Sequence, residues 1–248
     1  MVRVFLIISI CLSVSLIVSA QEDRTTEKDI LYEHATDFGV LVHTRGYGVD
    51  VQLIKQRTVN NLRLIDFSIY ELKNPKEISQ PNPLIDGSQP YVFGKLNNLV
   101  AFNVSYGTRY VIADRYIPTN IKMNLNYSIG AVIGWLKPVY YDVRVLSADS
   151  ISSTIIQAKF DPKNIDYQNN TMGPSSIFKG MNQSFFIYGA SAKMGLSFEW
   201  GKYEYNYYSL ETGVMVDAFP TPVPIFATIK NDQVFVNLYL TLTYGIRK

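Results

Sequence analysis

The sequence has 248 residues, enough for one domain, and its 23 Lys and Arg residues nearly balance its 21 Asp and Glu residues. Such a balance argues against a nucleic-acid-binding protein, in which basic residues concentrate on one face. Cys11 is the only cysteine, so a chain that loses its first residues has no disulfide and no cysteine-based metal site. His34 and His43 are the only histidines, and their spacing matches no metal-binding motif. We therefore predict no cofactor and no metal.

Residues 1–20 have the pattern of a secretory signal peptide. Arg3 supplies the positive start, an apolar stretch follows, and small residues lead up to Ala20. We predict cleavage between Ala20 and Gln21. A membrane anchor fits less well because the apolar stretch is short and polar residues follow it at once. A lipoprotein leader fits less well because Cys11 lies in the middle of the apolar stretch.

The rest of the chain alternates between apolar and polar residues, and it contains no apolar run long enough for a spanning helix. We expect a periplasmic segment over 21–36 and an all-β fold, an antiparallel transmembrane β-barrel, over 37–248. Eight strands are predicted, with a higher count left open, at 37–56, 60–72, 95–112, 119–134, 138–148, 183–200, 205–218 and 233–247.

The first predicted strand contains a change of phase near Thr44. Apolar residues occupy even positions up to Val42 and odd positions from Tyr47 onwards. Either a β-bulge or a tight turn produces such a change. A tight turn would divide the segment into a hairpin and raise the strand count.

The last segment shows the alternation most clearly. From Val234 to Ile246 every even position is apolar, whereas the odd positions are mostly polar or small. Successive side chains of a strand point to opposite faces, so one face is wholly apolar. Strands of soluble proteins usually have about 5–6 residues, and tilted membrane strands need about 9–11. The length favours an outer-membrane barrel over a secreted β-sandwich, and repeated glycines on the polar face suit a narrow lumen.

The polar faces of the predicted strands carry charges of both signs. In a narrow barrel such charges pair with each other, because an unpaired buried charge is costly. We predict a luminal charge network that nearly neutralises itself and fills a closed lumen. Its members are Arg109, Lys122, Asp142, Arg144, Lys193, Glu199, Glu211, Asp217 and Arg247.

Three proline-containing connections separate the predicted strands, at 73–90, 149–182 and 220–233. Long connections of this kind are usually functional or disordered. We expect the first two to be the contact surfaces for envelope partners. Asp149, Ser150 and Ile151 form a short sequence similar to O-glycosylation acceptor sites of exported Bacteroidota proteins, which makes Ser150 a candidate modification site.

Six short segments, spread in order over most of the chain after the leader, resemble an uncharacterised group of outer-membrane β-barrels from Bacteroidota. They are GVLVH at 39–43, NPKE at 74–77, YVFGK at 91–95, LKPVY at 136–140, GLSFE at 195–199 and PVPI at 222–225. The resemblance implies the location and the fold but no activity. Members of the group tend to end in an aromatic residue, whereas this sequence ends in YGIRK at 244–248, so the assembly signal is expected to rest on Tyr244 or to lie elsewhere.

Catalysis is the least favoured function. A Ser-His-Asp site would need His43 or His34 beside Asp37 or Asp50, and no GxSxG motif is present. An acidic site from Asp142, Glu199, Glu211 and Asp217 is the other arrangement considered, but pairing with luminal cations explains these residues better.

The expected function is that of a non-enzymatic outer-membrane barrel, a structural or accessory subunit of an envelope complex. The alternatives are a narrow pore or transporter for small solutes and a barrel enzyme that modifies lipid or peptide. Outer-membrane lipid is the expected surrounding, and nucleic acid is not an expected partner.

Overall fold

The computed structural model describes residues 33–58, 60–114, 121–146, 153–201 and 205–248. Among these residues no helix is both long and apolar enough to cross a membrane. The short helices in the described part of the chain are α1 (Ile165–Asn169) and one 3-10 turn (Met181–Gln183).

Eight antiparallel strands close into a barrel, in the order β1-β13-β12-β11-β7-β6-β3-β2. Their bounds are β1 His34–His43, β2 Gly46–Thr58, β3 Asn61–Leu72, β6 Asn97–Ala113, β7 Lys122–Pro138, β11 Phe185–Trp200, β12 Asn206–Ala218 and β13 Val234–Arg247. The last strand pairs with the first, since Val40 lies opposite Leu242. The predicted eight-stranded antiparallel barrel is thus confirmed.

Two of the predicted strands differ from the structure. Segment 37–56 is a hairpin, in which His43 pairs with Gly46 across a turn at 44–45. The prediction that 138–148 is a barrel strand is wrong: β8 (Tyr140–Leu146) pairs with β9 (Ser153–Lys159) and β10 (Thr171–Pro174) in a separate sheet. One barrel strand is gained and one is lost, so the count remains eight.

The two ends of the barrel differ in their connections. The terminal end, where β1 begins and β13 ends, carries the connections 59–60, 114–121 and 201–205. The opposite end, called the loop end here, carries the turn 44–45 and the long connections 73–96, 139–184 and 219–233. All the additional strands, including the pair β4 (Ser79–Gln80) and β5 (Tyr91–Val92), therefore lie in loop-end connections.

The barrel wall is apolar outside and polar inside over much of its height. On β13, Val236, Leu238 and Leu240 are 56%, 63% and 47% exposed, whereas the alternate residues Asn237 and Thr241 are fully buried. The same alternation continues on the neighbouring strands. A soluble sandwich would show the reverse arrangement, with its apolar face hidden.

Candidate functional site: the filled lumen and the loop-end cap

Arg109 of β6 is the centre of the first luminal cluster. Its guanidinium donates to Asp37 at 3.1 Å, to Gln52 at 2.7 Å and to Asn126 at 3.1 Å. The Tyr207 hydroxyl donates to the other oxygen of Asp37. These bonds join strands β1, β2, β7 and β12 to β6, so one arginine ties much of the wall together across the lumen.

Lys193 of β11 is the centre of the second cluster. Its ammonium lies 3.0 Å from Asp66 and 3.8 Å from Glu211. It also lies 4.8 Å from the centre of the Tyr239 ring, and the Asn126 amide donates to Glu211 at 2.6 Å. Because Asn126 contacts both Arg109 and Glu211, the two clusters form one hydrogen-bonded network.

Two further contacts lie inside the lumen, one on either side of this network. The Tyr70 hydroxyl of β3 donates to Asp217 of β12 at 2.8 Å, and these strands lie on opposite sides of the barrel. Near the terminal end, Arg247 of β13 forms an ion pair with Glu199 of β11. Side chains therefore fill the interior, as expected for an eight-stranded barrel.

Two glycines on the inner face make room for these side chains. A Cβ atom at Gly39 would lie 2.3 Å from Asp50 Oδ1, and one at Gly245 would lie 2.3 Å from the Tyr207 ring. Either contact is too close for a real Cβ atom. Glycine on the polar face is thus required by the packing of the lumen, in agreement with the reason given for it from the sequence.

Seven residues of the predicted charge network lie at inward positions of the barrel, and two do not. Arg109, Lys122, Lys193, Glu199, Glu211, Asp217 and Arg247 are inward-facing. Asp142 and Arg144 lie on β8, in the separate sheet, and take no part in the network. Their alternation matched a wall strand, but alternation does not tell which sheet a strand joins.

Sequence reasoning missed three luminal carboxylates: Asp37, Asp50 and Asp66 are at most 2% exposed and face inward. With them, six carboxylates and four cations occupy inward positions on the described strands, whereas the sequence predicted four carboxylates and five cations. Neither carboxylate oxygen of Asp50 has a hydrogen-bond partner among the described residues. For two of these residues the signal was present in the sequence, because Asp37 alternates with Gly39 and Asp50 with Gly48.

The 219–233 connection closes the loop end of the lumen. Its apolar residues Phe219, Val223, Ile225 and Phe226 are at most 5% exposed and pack on the inward residues of the wall. Those wall residues are Leu41, Tyr70, Leu72, Leu99, Ala101, Val132, Leu136, Met215, Phe235 and Tyr239. The lumen therefore has a polar layer towards the terminal end and an apolar layer under this connection.

Hydrogen bonds fix the closing connection in place. The backbone N–H of Leu96 donates to Ile225 O at 2.8 Å, and the Asn97 side chain donates to Pro224 O at 2.6 Å. Asn231 accepts from the backbone N–H groups of Ile225 and Phe226 at 3.1 and 2.9 Å. We call the segment 219–233 the plug from here on.

The two longest connections pack against each other above the plug, and we call this assembly the loop-end cap (73–96 with the described parts of 139–184). The Asn82 side chain donates to the carbonyls of Asn169 and Thr171, each at 2.9 Å. The Tyr141 hydroxyl donates to Val92 O at 2.8 Å. Burial raises the pKa of Tyr141 above its ordinary value, so the hydroxyl remains a donor. The described parts of the two predicted contact loops thus pack into a single folded unit.

The catalytic arrangements that would use His43 are not assembled. His43 lies at the loop end, where its Nδ1 accepts from the Arg45 backbone at 3.3 Å. Asp37 is six residues away along β1, roughly 20 Å at the rise of an extended strand. Asp50 pairs with Gly39 and is about 13 Å from His43 on the same measure. Among the described residues, no group of three or more His, Cys, Asp or Glu side chains could hold a metal.

Three predicted positions lie outside the described residues: the cleavage site at Ala20 and Gln21, and the candidate modification site at Ser150. All three remain predictions.

No family model matches the sequence, and no curated protein does. Neisserial surface protein A is similar in structure, with 10% identity over 87% of this chain and 96% of that chain, and a TM-score of 0.40. Ail, the attachment invasion locus protein of Yersinia pestis, gives 10% identity, the same coverage and a TM-score of 0.39. The N-terminal β-barrel domain of Pseudomonas aeruginosa OprF gives 9% identity over 88% of this chain and 99% of that chain, with a TM-score of 0.34. Similarity at this level does not extend to what these proteins bind or do.

Proposed function

We propose that this chain is a non-enzymatic outer-membrane β-barrel that serves as a structural or accessory subunit of an envelope complex and meets its partners through the loop-end cap. The observation that carries the proposal is the combination of an apolar outer wall with a lumen that is filled by polar side chains, including buried ion pairs, and covered by the plug. This combination suits a stable anchor in lipid better than a conduit. Membership of the Bacteroidota group remains a prediction.

The dimensions of the outer wall support the membrane location. Outward residues of β13 are apolar from Val234 to Tyr244. Ten residues of a strand tilted by about 40° rise roughly 26 Å along the barrel axis, and the apolar band of outer-membrane barrels is about 25 Å tall. Aromatic side chains lie near both edges of the band, such as Tyr208 and Tyr244 with ring centres 5.4 Å apart at the terminal end. Trp135 occupies an outward position near the loop end.

The cap supports the role in binding partners. It extends beyond the barrel wall, and it exposes the apolar side chains of Leu84 (69%), Ile165 (66%) and Ile78 (64%). Contiguous apolar patches on a protein surface mark interaction sites, and we propose that these side chains form part of such a patch. Short connections at the terminal end offer no comparable surface among the described residues.

Fractionation and site-specific cross-linking test the proposal. The protein should remain in outer membranes after carbonate extraction, and recovery as a soluble periplasmic protein would contradict the location. A photo-reactive residue at Leu84 should give a discrete cross-linked product in native membranes. The same residue at exposed Asn60, in a terminal-end turn, is the matched control. Equal labelling at both positions, or none at Leu84, would contradict binding through the cap.

A narrow cation pore is the second candidate, because carboxylates outnumber cations at the inward positions. An excess of negative side chains is what selects cations in a pore. The plug and the cross-lumen ion pairs oppose this candidate, and conductance measurements separate the two.

A further inference from the structure

The turn that leads into β11 exposes two large apolar side chains. Ile177 and Phe178 are 79% and 78% exposed, the highest values among the large apolar residues that the structure describes. The Lys137 side chain of β7 donates to the carbonyl of Ile177. Lys137 lies at an outward position of the wall, two residues after Trp135. The turn is therefore continuous with the lipid-facing surface at its loop-end edge.

Cations gather around the same turn. The ammonium groups of Lys159 and Lys179 lie 5.6 and 5.9 Å from the centre of the Tyr140 ring. Together with Lys137 they form a group of three lysines, none of which takes part in an ion pair described for this structure. A positive cluster beside an apolar projection is complementary to an amphipathic anion.

A shallow cavity of about 300 Å³ adjoins the turn. It is lined by Tyr140, Phe178, Lys179 and the residues of the turn from Gly180 to Gln183. On the adjoining wall, Trp135 of β7 pairs with Phe186 of β11. The cavity thus has cationic and aromatic walls and lies beside the outer face of the barrel.

We propose that this site binds a membrane lipid with a phosphorylated headgroup, in the leaflet at the loop end. Phosphate oxygens would contact Lys137 and Lys179, because ammonium groups bind phosphate as point charges. An acyl chain would lie against Ile177 and Phe178. The inference rests on the proposed function, because only a barrel inserted in a bilayer brings this edge to the headgroups. An acidic protein segment would match the charges but not the apolar continuity with the wall.

The two tryptophans provide the reporter and its control. Trp135 lies on the wall beside the site, and Trp200 lies on the outer face at the terminal end. The Trp200→Phe variant keeps Trp135 as its only tryptophan, and the Trp135→Phe variant keeps Trp200. Each protein is refolded into phosphatidylcholine vesicles that contain brominated phosphatidylglycerol, and fluorescence quenching is measured. A second set of vesicles carries the bromine on phosphatidylcholine and contains unbrominated phosphatidylglycerol.

When the bromine is on phosphatidylglycerol, Trp135 should be quenched more than Trp200. When the bromine is on phosphatidylcholine, Trp135 should be quenched less than Trp200. Equal quenching of both residues in every mixture would overturn the lipid site while leaving the membrane location intact. Absence of quenching at both residues would instead contradict the proposed membrane insertion. The two failures are therefore distinguishable.

A matched pair of variants tests the lysines. Lys137→Gln with Lys179→Gln should lower the relative binding constant for phosphatidylglycerol by roughly fivefold for each lysine. The control, Lys76→Gln with Lys230→Gln, removes the same charge from exposed positions in other loop-end connections. Excess quenching of Trp135 that persists in the first variant, or that disappears equally in the control, would overturn the proposal.

Discussion

A charge placed on the outer face of β13 tests whether that face lies in lipid. Leu240 is 47% exposed and points outward between Leu238 and Leu242. It lies six residues from Val234 at one edge of the apolar band. At about 2.6 Å of rise per tilted residue, Leu240 is roughly 16 Å below that edge and about 3 Å from the middle of the band.

The depth of the residue sets the expected magnitude. Arginine near the bilayer midplane destabilises a barrel by about 2–4 kcal/mol, and near the interface by about 0–1 kcal/mol. Leu240→Arg should therefore lower the free energy of unfolding by about 2–4 kcal/mol. Val234→Arg on the same face is the depth control and should cost about 1 kcal/mol or less.

Urea unfolding of the refolded protein in lipid vesicles, followed by tryptophan fluorescence, measures both variants. If Leu240→Arg proves no more destabilising than Val234→Arg, the outer face of β13 does not lie in hydrocarbon and the reasoning is refuted. A large cost for both variants would mean that the band is displaced along the barrel axis.

Three further changes probe the lumen and the cap. Lys193→Met should lower the free energy of unfolding by about 3–5 kcal/mol, because it leaves the buried carboxylate of Asp66 unpaired, and unchanged urea stability would show that the pair is unimportant. Tyr70→Phe should lower the free energy of unfolding by about 1–3 kcal/mol, because the hydrogen bond to Asp217 is lost. If its urea midpoint changes less than that of a lipid-facing Tyr→Phe variant, this prediction is contradicted. Asn82→Ala should speed proteolytic cleavage within the cap, while the barrel still migrates as a folded, heat-resistant band in gel electrophoresis. An unaltered cleavage rate would argue that Asn82 does not hold the two cap connections together.

The barrel strands could be predicted because alternation records which side of a wall each residue faces. The inward and outward positions inferred for 234–246 agree with the burial pattern of β13 throughout. The hairpin within 37–56 was left open between a bulge and a turn, since both produce the same change of phase. The structure gives the turn, in which His43 pairs with Gly46.

What could not be predicted concerns partners that are distant in sequence. Residues 138–148 alternate as a wall strand does, yet Tyr141 and Val143 face the interior of the cap and pair with β9 and β10. Asp66 was missed because its inward neighbours include Leu64 and Tyr70, so both faces of β3 look apolar. The plug was seen only as a proline-rich connection, because nothing local shows that Ile225 enters the barrel.

Single-channel recording tests the central claim, a barrel whose lumen is closed, most directly. Proteoliposomes whose barrel content has been verified by heat-resistant electrophoretic mobility are fused with a planar bilayer, and the current is recorded over a range of voltages. The account predicts no steady ion current, because the Arg109 and Lys193 clusters fill the lumen and the plug covers it. Steady, stepwise currents with preference for cations would contradict the closed lumen and would make the pore the better interpretation.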